Sequence, residues 1–156
     1  MVDEVRVRIA SDGDMVPARA QARALAEALG FSRTDATLIA TAVSEVARNI
    51  VAHVGLGEIA MSPLMEDRRR GLRVIASDSG PGIRDIAKAL EHGYTSRHGL
   101  GLGLSGARRL MDDFEIDSGP EIGTTVSMTK WRALDELERL REDRRAGARP
   151  GGATAR

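Results

Sequence analysis

The sequence has no cysteine, which excludes a disulfide framework, a thiol nucleophile and cysteine-ligated zinc. Aromatic residues are nearly as scarce. Phe31, Tyr94, Phe114 and Trp131 are all there are, too few to stack a run of bases. An excess of either charge is missing too: 23 Lys and Arg balance 23 Asp and Glu. A chain that lives by neutralising a phosphate backbone is basic, so no nucleic-acid partner is expected. The three histidines, His53, His92 and His98, show no His-x-x-x-His metal spacing. No apolar run reaches about eighteen residues, and Asp3 and Glu4 do not suit a signal peptide. No membrane partner and a cytoplasmic location are therefore expected. The 156 residues suffice for one domain with a two-layer core.

What is present is organised around one helix, predicted over Thr34 to Val54. Ile39, Val43, Val46, Ile50 and Val54 recur at steps of three and four, an apolar stripe facing a core. At about 100° per residue Glu45 and Asn49 lie together, roughly a quarter turn off that stripe, with Leu38 and the small Ala42 beside them. That flank is either a solvated edge or a place where a bound group is held and deprotonated.

Around this helix the chain reads as α+β. Glu4 to Ile9 alternates as a half-buried strand. Pro17 opens a helix that runs over Ala18 to Leu29 and is stopped by Gly30. Ser32 caps the central helix, with Asp35 as a variant of the capping box. Glu58 to Met61 and Leu72 to Ser77 are expected as strands joined by the charged turn Glu66 to Gly71. Its arginine triplet is a partner patch or, more simply, a solvated loop. One or two helical turns over Asp85 to Leu90 and a mobile loop over Glu91 to Gly103 follow. Leu104 to Met111 reads as helix, Phe114 to Asp117 and Thr124 to Trp131 as strands. The stretch Ala133 to Arg145 reads as a surface or partner-binding helix, with disorder beyond it. These elements give a two-layer sandwich with helices on one face of a mixed sheet. Residues 1–131 form the domain, and 132–156 a charged helical extension and tail.

Three further stretches carry chemistry. Asp78 continues the parity of Leu72, Val74 and Ala76, so it emerges from the buried face into the turn Ser79-Gly80-Pro81-Gly82. Such a carboxylate needs a donor. The exocyclic amino group of adenine serves, with Gly80 and Gly82 letting a flat ring approach; alternatively the acid caps its own turn. Gly99-Leu100-Gly101-Leu102-Gly103-Leu104-Ser105-Gly106 runs straight into a helix. It is a phosphate-binding loop or merely a flexible one. A Walker loop is excluded, and the dinucleotide fingerprint lacks its preceding strand. Thr124 faces inward, towards its own backbone or, through water, the same adenine. Together the pieces fit one ligand, a divalent-metal–triphosphate with an adenine at one end, and magnesium suits it. The ion needs only one or two protein ligands, which the Asn49 amide oxygen satisfies. Glu45, one turn away, can take a proton from an attacking hydroxyl.

These motifs, in this order, resemble the GHKL (Bergerat) ATP-binding superfamily. Glu45-Val-Ala-Arg-Asn49 matches its N box, and Asp78-Ser-Gly-Pro-Gly82 its first glycine box. Gly99 to Leu104 matches the second, and Gly123-Thr124 the closing strand. Ser44 to Ile50, Gly106 to Ile116 and Thr129-Lys130-Trp131 are most similar to the RsbT-type serine/threonine switch kinases, an anti-sigma regulatory group. The resemblance implies the histidine-kinase-like ATPase fold, with ATP and magnesium between the layers. It implies Glu45 as general base and Asn49 as metal ligand. It also implies a nucleotide site lined by Asp78, Gly80, Gly82, Gly99, Gly101, Leu102, Gly103, Leu104 and Thr124. The implied substrate is a STAS-domain antagonist in a partner-switching stress pathway, with a PP2C-type phosphatase or a sigma factor as further partners. An anti-sigma factor acting mainly by binding is the alternative. A sensor histidine kinase fits worst, because the upstream helix contains no histidine. Arg97 in the unmatched loop is a γ-phosphate partner or an ordinary solvated arginine.

Overall fold

The computed structural model describes residues 4–80, 103–119 and 122–148. Strand β1 (Val5–Ile9) leads through a 3-10 turn (Asp12–Asp14) into α1 (Met15–Ala28). The helix starts earlier than expected and places Pro17 at its third position. That position still needs no intrahelical N–H partner, so the proline does no harm there.

Helix α2 (Arg33–His53) is capped as anticipated, the Ser32 hydroxyl accepting from the Asp35 amide at 3.1 Å. Its burial goes beyond one stripe. Ala36, Ile39, Ala40, Ala42, Val43, Ser44, Glu45, Val46, Ala47 and Ile50 are all buried, because α2 packs on α1, on α3 (Gly103–Leu110) and on the sheet.

Strands β2 (Gly57–Glu66) and β3 (Arg69–Asp78) form a hairpin of ten residues a side. The expected turn over Glu66 to Gly71 shrinks to Asp67-Arg68, with Asp67 in the left-handed region at φ +52°, as a two-residue hairpin turn requires. Pro63 is tolerated inside β2 because β1 pairs only with Gly57 to Met61. At Pro63 the missing N–H would point to an unpaired edge. Strands β4 (Asp113–Gly119) and β5 (Gly123–Ala133) form the second hairpin.

The sheet order is β1-β2-β3-β5-β4, and every pairing is antiparallel. The expected mixed sheet is thus corrected for these strands, while the α+β architecture stands. Two successive helices return the chain so that β2 runs against β1. Strand β5 inserts between the like-directed β3 and β4, so those two never pair.

The register sorts the inner face into rows across the sheet. One row is Val5, Met61, Val74, Met128 and Phe114; the next is Val7, Ile59, Ala76, Val126 and Ile116. These side chains and those of α1, α2 and α3 make one hydrophobic cluster. Each fully buried Val or Met in it contributes about 1.5–3 kcal/mol. The third row, Ile9, Gly57, Asp78, Thr124 and Ser118, turns polar at one end of the sheet.

At the other end, α4 (Glu136–Ala148) docks on the hairpin tip. Leu134 is buried, and Asp135 and Glu138 form a capping box, each side chain accepting from the other's backbone N–H. The anchor is Arg132. Its Nε donates to the Leu29 carbonyl at the end of α1, and Nη1 and Nη2 donate to the two Glu138 oxygens at 2.8 Å each. Arg70 Nε lies 3.1 Å from Glu138 as well, and Arg68 pairs with Asp143. Among the described residues, no helix is long and apolar enough to cross a membrane.

Candidate nucleotide site

Glu45 lies in the middle of α2, and the packing that buries the helix all round buries it too. It is 4% exposed, so the solvated-edge reading of this flank is ruled out. Oε1 accepts from Arg48 Nη1, one turn on, at 2.9 Å, and Oε2 is buried with no hydrogen-bond partner among the described residues. A buried acceptor left unmatched costs about 1–3 kcal/mol. Asn49 follows on the next turn and is half-buried. Ala42 on the same flank is fully buried in the core, so the room expected beside it is taken up by packing.

Asp78 closes β3 in the polar row, directly between Gly57 and Thr124. It is half-buried, and Oδ1 accepts from the Gly80 amide at 2.9 Å. The acid therefore caps its own turn with Oδ1. Thr124 is buried and inward, as its parity required. Its hydroxyl meets neither its own backbone nor open space but the Ser118 hydroxyl, 2.8 Å away across the strands.

Glycines frame this acid. A Cβ on Gly80 would lie 2.5 Å from Val54 Cγ2, so the glycine lets this turn pack against the end of α2. Gly123, at φ +74°, would place a Cβ 2.1 Å from the Asp78 carbonyl oxygen. Gly57, on the other side, would place one 2.6 Å from the Ser77 carbonyl. Only a register shows that Gly57 and Ser118 belong to this row, and sequence reading passed over both. Their signal was the polar break in each strand's inward parity.

The second glycine stretch is only partly described. Gly82, Gly99, Gly101 and Leu102, with Arg97, the Asp85 to Leu90 turns and the loop up to 102, lie outside the described residues. Helix α3 begins at Gly103, so the glycines do lead into a helix N-terminus. The Leu104 side chain is buried in the core, which leaves its backbone for any ligand. Among the described residues, no group of three His, Cys, Asp or Glu could hold a metal ion. An ion here would share its coordination with a ligand's oxygens. The Asn49 amide oxygen is a hard donor of the kind magnesium accepts, and the donor set fits on that basis.

Comparison with known proteins gives concordant results. The sequence model of the histidine kinase-like ATPase domain matches residues 9–130. The serine/threonine-protein kinase RsbT of Bacillus subtilis is 44% identical over 131 residues, covering 84% of this chain and 98% of that protein. The anti-sigma F factor of Bacillus licheniformis is 34% identical over 120 residues, covering 72% and 81%. A solved structure of the mycobacterial sensor histidine kinase MprB covers 86% of this chain at 15% identity, with a TM-score of 0.49. By the extent of these sequence matches, the chain belongs to the histidine kinase-like ATPase family.

Proposed function

We propose that this protein is an ATP-dependent protein serine/threonine kinase, and that it phosphorylates a STAS-domain antagonist in a bacterial partner-switching pathway. The observation that carries the reading is Glu45: a buried carboxylate with one oxygen anchored and the other unpartnered among the described residues, one turn from Asn49. Similarity to a named serine/threonine kinase over nearly that protein's whole length supports it.

In this reading Asp78 accepts from the adenine amino group with the oxygen that Gly80 does not use. Thr124 and Ser118 form the polar floor beside it, and Gly80 and Gly82 keep the ring's approach clear. Gly99, Gly101, Leu102, Gly103 and Leu104 offer backbone N–H groups to the phosphates, aided by the positive end of α3. Asn49 holds magnesium, which neutralises charge on the phosphate oxygens. The acceptor hydroxyl attacks the γ-phosphorus and gives its proton to Glu45 Oε2. The bond to the β,γ-bridging oxygen breaks, ADP leaves, and the proton later passes to solvent. Such a transfer needs positioning and charge neutralisation more than covalent help.

The test is transfer from γ-labelled ATP to STAS-domain proteins of the same genome, offered singly. One acceptor becomes labelled on serine or threonine, and Glu45→Gln lowers that transfer about 10²–10⁴-fold with ATP affinity kept. Asp78→Asn abolishes ATP binding, since the amide can turn an NH₂ towards the adenine amino group. Full turnover by the first variant, or unchanged affinity in the second, would refute the corresponding role.

The anti-sigma relative favours a second reading, in which the chain holds a sigma factor by binding alone. Absence of label on any acceptor, with ATP bound and a sigma factor co-purifying, would select it. A phosphatase co-purifying instead would fit the switch-kinase reading.

A further inference from the structure

Arg48 is the one charged side chain hydrogen-bonded to Glu45, at 2.9 Å, among the described residues. It sits three residues on along the same helix, 32% exposed against 5% for its partner. A carboxyl group turns about its last bond in a broad, roughly two-fold torsion. Nothing in Glu45 itself fixes how the plane of its carboxylate is turned. The guanidinium fixes it by holding Oε1, and the buried oxygen left over is the one that lacks a partner among the described residues.

We propose that Arg48 is a positioning residue for phosphoryl transfer, pinning one oxygen of Glu45 so that the other is presented to the acceptor hydroxyl. This role rests on Glu45 acting as the base. It asks nothing of Arg48 towards the nucleotide. Arginine and lysine are not equivalent here: the rigid guanidinium directs its N–H at Oε1 along a fixed line, whereas a lysine ammonium is a flexible point charge.

The experiment compares Arg48→Met, Arg48→Lys, Glu45→Gln and Glu45→Gln with Arg48→Met in the full chain. It measures kcat and KM on a STAS-domain acceptor that the wild type labels, and ATP Kd by calorimetric titration. Arg48→Met is expected to lower kcat about 10- to 100-fold, part of what a general base supplies, while ATP Kd stays within about twofold. Arg48→Lys recovers part of the loss. In the Glu45→Gln background, Arg48→Met costs nothing further, because a residue acting only through Glu45 has nothing left to position.

Full activity of Arg48→Met, an undiminished loss in the Glu45→Gln background, or ATP affinity falling in step with kcat would each overturn the role while leaving a kinase. A wild type that binds ATP and labels no acceptor would overturn the kinase reading and this role together.

Discussion

At the scale of single residues, the proposed nucleotide site depends as much on missing side chains as on present ones. Gly123 sits in the left-handed region against the Asp78 carbonyl, and a Cβ there has no room. Gly123→Ala should lower stability by roughly 2 kcal/mol or more, from backbone strain and a forced shift of the Asp78 turn. Gly147, in α4, is different: a Cβ there would meet nothing within 4 Å. Gly147→Ala should instead favour its helix by up to about 1 kcal/mol. Denaturant melts of the two variants check both signs, and equal effects would reject the crowding argument. Asp78 was legible from parity alone, since an acid that continues Leu72, Val74 and Ala76 must share their face. Gly123's task was not legible, because it depends on which strand lies alongside.

At the scale of elements, α2 was the most readable part of the chain. Its periodicity, its Ser32 cap and its end near Gly55 are all local signals. The β2–β3 hairpin was harder. Pro63 and the run of charges from Glu66 to Arg70 mask ten-residue strands that only pairing reveals.

Helix α4 was anticipated as a helix, but its attachment was not, because Arg132 reaches residues far away in sequence. That attachment depends on pH. Hydrogen bonds from Arg132, helped by the Asp135 N–H and by the charges of Arg132 and Arg70, outweigh burial and hold the Glu138 carboxyl at about 2, against its ordinary 4.5. A carboxyl whose pKa is depressed on folding gives stability that is complete above its unfolded value and lost as pH falls through its folded one. Docking of α4 should therefore weaken between about pH 4.5 and pH 2. Glu138→Gln should flatten this dependence, as read by amide exchange along α4 at a series of pH values. The same acid-induced loosening in that variant would assign it to other carboxyls.

At the scale of the molecule, the rows of the sheet separate what stabilises from what is proposed to bind. Two apolar rows hold the layers together, and the polar row lies at the end of the sheet remote from α4. Truncation after Ala133 removes buried Leu134 and leaves Arg132 and Arg70 without Glu138. It should lower the melting temperature by several degrees, about what a loss of 1–2 kcal/mol produces in a domain of this size. ATP affinity should be unaltered. A large loss of affinity would show that the two ends are coupled. The α+β layering was legible from element order, whereas strand direction was not, because periodicity carries no sign.

The Arg132 clasp has a consequence during synthesis. It joins the last strand to the Leu29 carbonyl across 103 positions of chain, so α1 is made long before the side chain that finishes its end. Until Arg132 and Glu138 have both left the ribosome, the emerging domain carries an unmatched Leu29 carbonyl at the end of α1 and an unbalanced Arg70. A nascent chain arrested just after Trp131 should accordingly be cleaved by protease near Gly30 more readily than one released at full length.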